Sequence, residues 1–161
     1  MRPGDFILET PEDLWGRIVA SVSGGRYCHV RLVVDEDGRT LSAQDEGAVW
    51  EDRVFDGDLV VSPPLTDAQR DMISTVAWRL HGLPYSRRGL VLLGLARLGL
   101  RTPWISQELD RPDSLICSQL VDLAWRRVGF HAFDDGRQPQ DVTPGDLADL
   151  AFRAGWDVYT L

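Results

Sequence analysis

The 161 residues, 43% of them hydrophobic and 26% charged, suffice for one domain over residues 1–161, and no repeat or change of composition marks a second. The formal net charge of −8 repels polyanions, and no basic stripe is interleaved with aromatic residues, so we exclude nucleic acid as a ligand. The most apolar run, residues 89–98, is too short to cross a bilayer, which argues against integral membrane contact.

The first half of the chain predicts mainly strands. Phe6 to Leu8 forms a short strand, and Thr10 followed by Pro11 has the pattern of a helix N-cap. We expect the buried face of that first helix to consist of Leu14, Ile18, Val19 and Val22. A β-branched run over 27–34 then leads to Asp37-Gly38, a strong hairpin signal. Further strands are predicted over 40–43, 48–50 and 58–61.

The second half predicts mainly helices. Thr66 and Gln69 form a capping box, and the expected buried face that follows is Met72, Ile73, Val76, Ala77 and Leu80. Short buried helices follow over 90–98 and 115–128, then a last helix from Thr143 to Ala154. An edge strand is predicted over 156–159. Strands first and helices afterwards indicate an α+β fold.

The composition also bears on location and on cofactors. The N-terminus lacks the apolar stretch of a signal peptide, so we expect a cytoplasmic protein. Its two cysteines, Cys28 and Cys117, are expected to stay unpaired there. No Cys-x-x-Cys or His-x-x-x-His spacing is present, so we expect neither a metal nor a cofactor.

Cys117 lies in the first turn of a predicted helix, with Ser114 or Asp113 as N-cap. Val121 and Ala124 follow at helical spacing, so Cys117 should face inward. A helix N-terminus stabilises the thiolate, and we expect the thiol pKa to fall below its ordinary value of about 8.5. The alternative is that Cys117 is buried apolar filler, because free cysteine is among the most buried residue types.

A cysteine nucleophile needs a base within hydrogen-bonding reach. His81 lies at a predicted helix end, where it would cap carbonyl groups, and His131 lies in a predicted loop. His29 begins a strand among apolar neighbours and needs a polar partner. His29 is therefore the candidate base.

The order of several short motifs resembles one known family. They are Gly4-Asp5-Phe6-Ile7, residues 27–34, Leu41-Ser42-Ala43, Gly82-Leu83-Pro84-Tyr85 and residues 116–121. This pattern, over most of the chain, is similar to the circularly permuted branch of the NlpC-type papain-fold superfamily, which includes the YiiX-like and lecithin retinol acyltransferase-like proteins. The resemblance implies a permuted papain-like fold, an antiparallel sheet packed against helices.

The same resemblance implies roles for residues. Cys117 would be the nucleophile, His29 the base, and Tyr85 would lie near the mouth of the active site. Tyr27 and Ser118, which belong to the matching motifs, are further candidate substrate contacts. Arg31 stands where relatives have glycine, on the face of His29, and would narrow the cleft or bind a substrate carboxylate.

The residue that orients His29 is expected on the next strand, at Ser42 or Gln44. We predict Gln44, because its amide carbonyl can accept from the imidazole and reaches across strands. We further predict that the Cys117 and His29 side chains lie within about 4 Å of each other. Cys28 should point the opposite way from His29, towards Val30, as a structural thiol.

These roles imply a cysteine hydrolase or acyltransferase that acts on an amide or ester bond through a thioester. Substrates of this class are peptides, including cell-wall peptides, small molecules or lipids. The alternatives are an inactive papain-like scaffold used for binding and a lipid acyltransferase or thioesterase.

Overall fold

The computed structural model describes residues 1–23, 25–52, 57–84, 96, 99–100, 102–103 and 116–160. Apart from Ala96, the predicted helix over 90–98 lies outside the described residues, as do the predicted N-caps Asp113 and Ser114.

The described strands form one antiparallel sheet. They are β1 (Phe6–Glu9), β2 (His29–Val33), β3 (Thr40–Gln44), β4 (Gly47–Glu51), β5 (Leu59–Ser62) and β6 (Asp157–Thr160). Their order across the sheet is β4-β3-β2-β1-β5-β6, so β6 is an edge strand as predicted. Gly38 has a φ of 86° in the turn between β2 and β3, which confirms the hairpin predicted there. The predicted α+β class is confirmed.

The described α-helices are α1 (Leu14–Val22), α2 (Asp67–Leu80), α3 (Cys117–Arg127) and α4 (Pro144–Ala154), with a 3-10 turn at Pro139–Asp141. The predicted caps Thr66 and Thr143 are confirmed, each in a capping box. The predicted cap Thr10 is wrong. Asp13 caps α1 instead, and its Oδ1 accepts from the Gly16 N–H at 2.6 Å. No described helix combines the length and the apolar character needed to span a bilayer.

Two of the predicted buried faces need correction. In α1 the predicted burial of Val19 is confirmed, and Ala20 is buried beside it, but Leu14 and Ile18 are 75% and 42% exposed. A helix that lies on the surface turns only one side towards the core, and in α1 that side contains Val19 and Ala20. Met72 of α2 is 47% exposed and lies beside the buried face.

The main core lies between one face of the sheet and the helices, where α3 packs on β2. Trp125 of α3 is fully buried, donates its Nε1–H to the Gly4 carbonyl at 3.0 Å and packs edge-on against Phe6. These contacts tie the C-terminal part of α3 to β1 and to the residues just before it. The packing of α3 on β2 places Cys117, at the start of the helix, against the centre of the sheet.

Candidate active site

Cys117 is the first residue of α3, and its side chain is fully buried in the main core. The prediction of Ser114 or Asp113 as N-cap is wrong, because the helix begins only at Cys117 and its N-cap is Ile116. The Ile116 backbone N–H donates to Oε1 of Gln119 at 3.2 Å. The prediction of an inward-facing cysteine in the first turn is therefore confirmed.

The thiol lies where two strands separate. Among the described residues, β2 pairs with β3 only at Leu32 with Leu41 and at Val33 with Thr40, whereas β3 stays paired with β4 through Gln44. The Val33 N–H donates to the backbone carbonyl of Asp5, the residue before β1. Because successive N–H groups of a strand point to opposite sides, the Val30 N–H points towards β3. A backbone hydrogen bond from Val30 reaches the Cys117 thiol. The sulfur thus occupies the opening between β2 and β3.

Burial outweighs the helix N-terminus in setting the thiol pKa. Desolvation raises the pKa of Cys117 to about 12, although backbone hydrogen bonds from Val30 and Ser118 act in the opposite direction. The expectation of a lowered pKa is wrong for this closed arrangement, in which the Cys117 side chain has no exposed surface. The neutral thiol is its resting form at neutral pH.

His29 reaches across the same opening. Its Nε2 lies 2.9 Å from Oγ of Ser42, and Nε2 of Gln44 donates to that same oxygen at 2.9 Å. The prediction that Gln44 rather than Ser42 bonds His29 is therefore wrong. Nε2 of Gln44 also donates to Oε2 of Glu51 at 3.1 Å, so the Gln44 amide bridges Glu51 and Ser42.

Glu51 was not among the predicted site residues. It ends β4, two residues after Val49, which is the cross-strand partner of Ser42. Alternation therefore places Glu51 on the Ser42 face. Only the register of β3 against β4 could have revealed this placement.

The two faces of β2 carry different side chains. Val30 and Leu32 face the main core together with Cys28, as predicted for Cys28, and alternation turns His29 and Arg31 to the other face. The thiol and the imidazole therefore approach the opening between β2 and β3 from opposite faces. Their direct contact stays a prediction.

Arg31 is fully buried between two carboxylates of its own chain. Its Nε lies 2.5 Å from Glu9, and its Nη2 lies 2.8 Å from Asp58. Burial raises the pKa of Glu9, although the Arg31 charge acts against that rise. Because Arg31 already has these partners, we do not assign it a substrate carboxylate.

The other candidate substrate contacts are Tyr27, Ser118 and Tyr85. Tyr27 is 5% exposed within the core. Ser118 is fully buried and donates to the Val142 carbonyl at 2.6 Å, which ties α3 to the segment before α4. Both side chains hold the fold together, so the expected substrate contacts are not available in this arrangement. Tyr85 lies outside the described residues.

The remaining polar candidates have local partners. His81 is the C-cap of α2, as predicted, and stacks on Trp50 with ring centroids 4.9 Å apart. Cys28 and Cys117 are free thiols, and burial raises the pKa of Cys28 to about 11. In the described part of the chain, no three His, Cys, Asp or Glu side chains are grouped to hold a metal ion.

No family model matches this chain, and no curated protein does. A solved structure does resemble it, that of the metalloprotein YiiX from Escherichia coli O157:H7, with a TM-score of 0.55. The match covers 99% of this chain and 88% of that chain at 14% sequence identity. At this identity the likeness shows that the chain shares the fold of a YiiX-like protein.

Proposed function

We propose that this protein is a cysteine-dependent hydrolase or acyltransferase of the permuted NlpC-type papain fold, with Cys117 as nucleophile and His29 as base. The observation that carries the proposal is the position of the Cys117 thiol. The thiol lies at the start of α3 and accepts a hydrogen bond from the backbone N–H of Val30. The residue before Val30 is His29, whose Nε2 contacts Ser42. These positions support the assignment of Cys117 as nucleophile, His29 as base and Ser42 as the orienting hydroxyl.

The chemistry is acyl transfer to and from sulfur. His29 takes the thiol proton, sulfur attacks the carbonyl carbon of an amide or ester, and the amine or alcohol leaves with that proton. Water or a second nucleophile then attacks the thioester, which releases the acyl group and restores the thiol. The Cys117 backbone N–H, at the helix start, helps to bind the oxyanion, a contribution of about 3 kcal/mol for one such donor.

Nδ1 of His29 is the nitrogen that serves as base. Nε2 is occupied by Ser42, so proton transfer from sulfur goes to the other ring nitrogen. This role requires the neutral tautomer that carries its proton on Nε2, with the Ser42 oxygen as acceptor. Ser42 therefore has the orienting role that the sequence analysis gave to Gln44.

Substrate entry must expose the thiol. In the closed arrangement the Cys117 side chain has no exposed surface and holds its proton. Opening removes the desolvation that raises the pKa, while the helix N-terminus and the backbone donors remain. Activation of sulfur is then coupled to substrate binding.

Alkylation by iodoacetamide, followed by peptide mass spectrometry from pH 5 to 10, tests the proposed dyad. We expect the apparent pKa of Cys117 to lie below that of Cys28, because the reacting open thiol has His29 beside it. His29→Gln should raise the apparent pKa of Cys117 by about one to three units, the effect of losing a nearby positive charge. Cys28 is the internal control and should keep its profile.

A binding scaffold without catalysis is the second candidate. The full burial of Cys117 and the raised pKa of its thiol favour it. Under this alternative, Cys117 alkylation is slow, has an ordinary or raised pKa, and is the same in the wild type and in His29→Gln. That result would reject the enzyme.

The neighbour is a metalloprotein, and that description belongs to YiiX. The described residues of this chain show no group of three suitable ligands. We therefore assign no step of the reaction to a metal ion. The proposed substrates are amides and esters of peptides, including cell-wall peptides, and of lipids.

A further inference from the structure

We infer that Glu51 is a positioning residue for His29, acting through Gln44 and Ser42. The inference rests on the proposed function and adds a carboxylate to its hydrogen-bonded relay. The relay runs across three strands, from Glu51 on β4 through Gln44 and Ser42 on β3 to His29 on β2.

Glu51 fixes the orientation of the Gln44 amide. An ionised carboxylate only accepts hydrogen bonds, so the Gln44 atom 3.1 Å from Oε2 of Glu51 must be the NH2 group. The same nitrogen lies 2.9 Å from Oγ of Ser42. Its two hydrogens therefore serve Glu51 and Ser42, and the amide cannot flip without placing its carbonyl oxygen against the carboxylate.

The orientation of Gln44 limits what Ser42 offers to His29. A serine oxygen has two acceptor lone pairs and one hydrogen. Gln44 occupies one lone pair, and the other can accept the Nε2–H of His29 across 2.9 Å. This arrangement places the proton of the neutral imidazole on Nε2, so that Nδ1 is the unprotonated nitrogen that the proposed base requires, and it also accommodates the imidazolium.

Glu51 also supplies charge. In the described part of the chain no cationic side chain pairs with its carboxylate, whereas Glu9 and Asp58 share Arg31. Among the described residues, the charged and titratable groups on the elements beside His29 are Glu9 on β1, Arg31 on β2, Glu51 on β4, Asp58 before β5 and the thiol of Cys117 on α3. Of these carboxylates, Glu51 is the one joined to the imidazole by the hydrogen bonds through Ser42.

Glu51→Gln should therefore weaken the imidazolium and the thiolate that accompanies it. It removes one negative charge and lets the Gln44 amide adopt either orientation. We expect alkylation of Cys117 at pH 7 to slow by about threefold to tenfold, with its pH profile displaced upwards. Glu51→Asp keeps the charge and should recover most of the rate.

Glu46→Gln is the matched control. It makes the same change of charge on the exposed turn between β3 and β4, in the same hairpin but outside the relay. It should leave the profile of Cys117 unchanged. The thermal unfolding midpoint of each variant is measured alongside, since a merely structural role would move that midpoint and leave the pH profile in place.

A double-mutant cycle with Gln44→Met tests the route. If Glu51 acts through Gln44, Gln44→Met should reproduce the displacement, and adding Glu51→Gln should cause little further change. Additive displacements would overturn the relay. If the pH profile of Cys117 alkylation were the same in Glu51→Gln and Glu46→Gln, while His29→Gln still displaced it, this inference alone would be overturned. Failure of His29→Gln to move the profile would instead overturn the proposed function.

Discussion

Replacing Cys117 with serine is expected to reduce turnover of a p-nitrophenyl ester by about a thousandfold or more. The hydroxyl of serine has a far higher pKa than a thiol, and a site built to deprotonate sulfur does not deprotonate it. Removing the nucleophile of a catalytic unit costs several orders of magnitude in rate. Release of p-nitrophenol from purified protein measures the effect.

Cys28→Ser is the matched control. Cys28 is half-buried, packs beside the main core and has a pKa raised to about 11, so it should contribute nothing to turnover. A Cys28→Ser variant that loses activity together with Cys117→Ser would show that neither thiol has a specific catalytic role. Retained turnover in Cys117→Ser would remove Cys117 from the mechanism.

Replacing Arg31 with methionine is expected to lower the free energy of unfolding by about 3 to 5 kcal/mol at pH 7. Methionine fills much of the volume but leaves the carboxylates of Glu9 and Asp58 without their shared cation. Breaking a buried ion pair from one side typically has this cost, because an uncompensated charge stays in the interior. Urea unfolding of the wild type and the variant measures the difference.

The loss of stability in Arg31→Met should depend on pH. The pKa of Glu9 is already raised above 4.5 by burial, and Arg31 opposes that rise. A raised pKa means that Glu9 favours the folded state below about pH 4.5 and that this contribution is lost as pH rises through the folded pKa. Without Arg31 the pKa of Glu9 should rise further. The decrease in the free energy of unfolding should therefore be largest at neutral pH and become smaller towards pH 4.

Arg17→Met, on the exposed side of α1, controls for the loss of one positive charge and should change stability by less than about 0.5 kcal/mol. An Arg31→Met variant as stable as this control would show that the buried carboxylates are not held by Arg31.

The order of strands and helices could be predicted because short-range signals determine it. Asp37-Gly38 specifies a tight turn, and Thr66 and Thr143 each cap a helix with their own side chains. The prediction for α1 was wrong because two residues could cap it. Asp13 bonds the Gly16 N–H, so the helix begins beyond the Thr10-Pro11 pair.

The site was predictable only in part. Cys117 and His29 are marked by their positions at element starts, but the partner of His29 depends on how far β2 and β3 stay paired. Alternation alone puts Ser42 and Gln44 on the same face, and it does not reveal that the Gln44 amide is engaged by Glu51 while Ser42 contacts His29. Likewise, the burial that raises the pKa of Cys117 comes from tertiary packing, which no local pattern encodes.

Intact-protein and peptide mass spectrometry after incubation with a panel of acyl lipids and cell-wall peptides tests the central claim most directly. We predict an acyl adduct on Cys117, labile to hydroxylamine as a thioester is, absent from Cys28 and absent from His29→Gln. An adduct on neither cysteine across the panel, or equal adducts on both, would contradict the assignment of Cys117 and His29 as a catalytic pair.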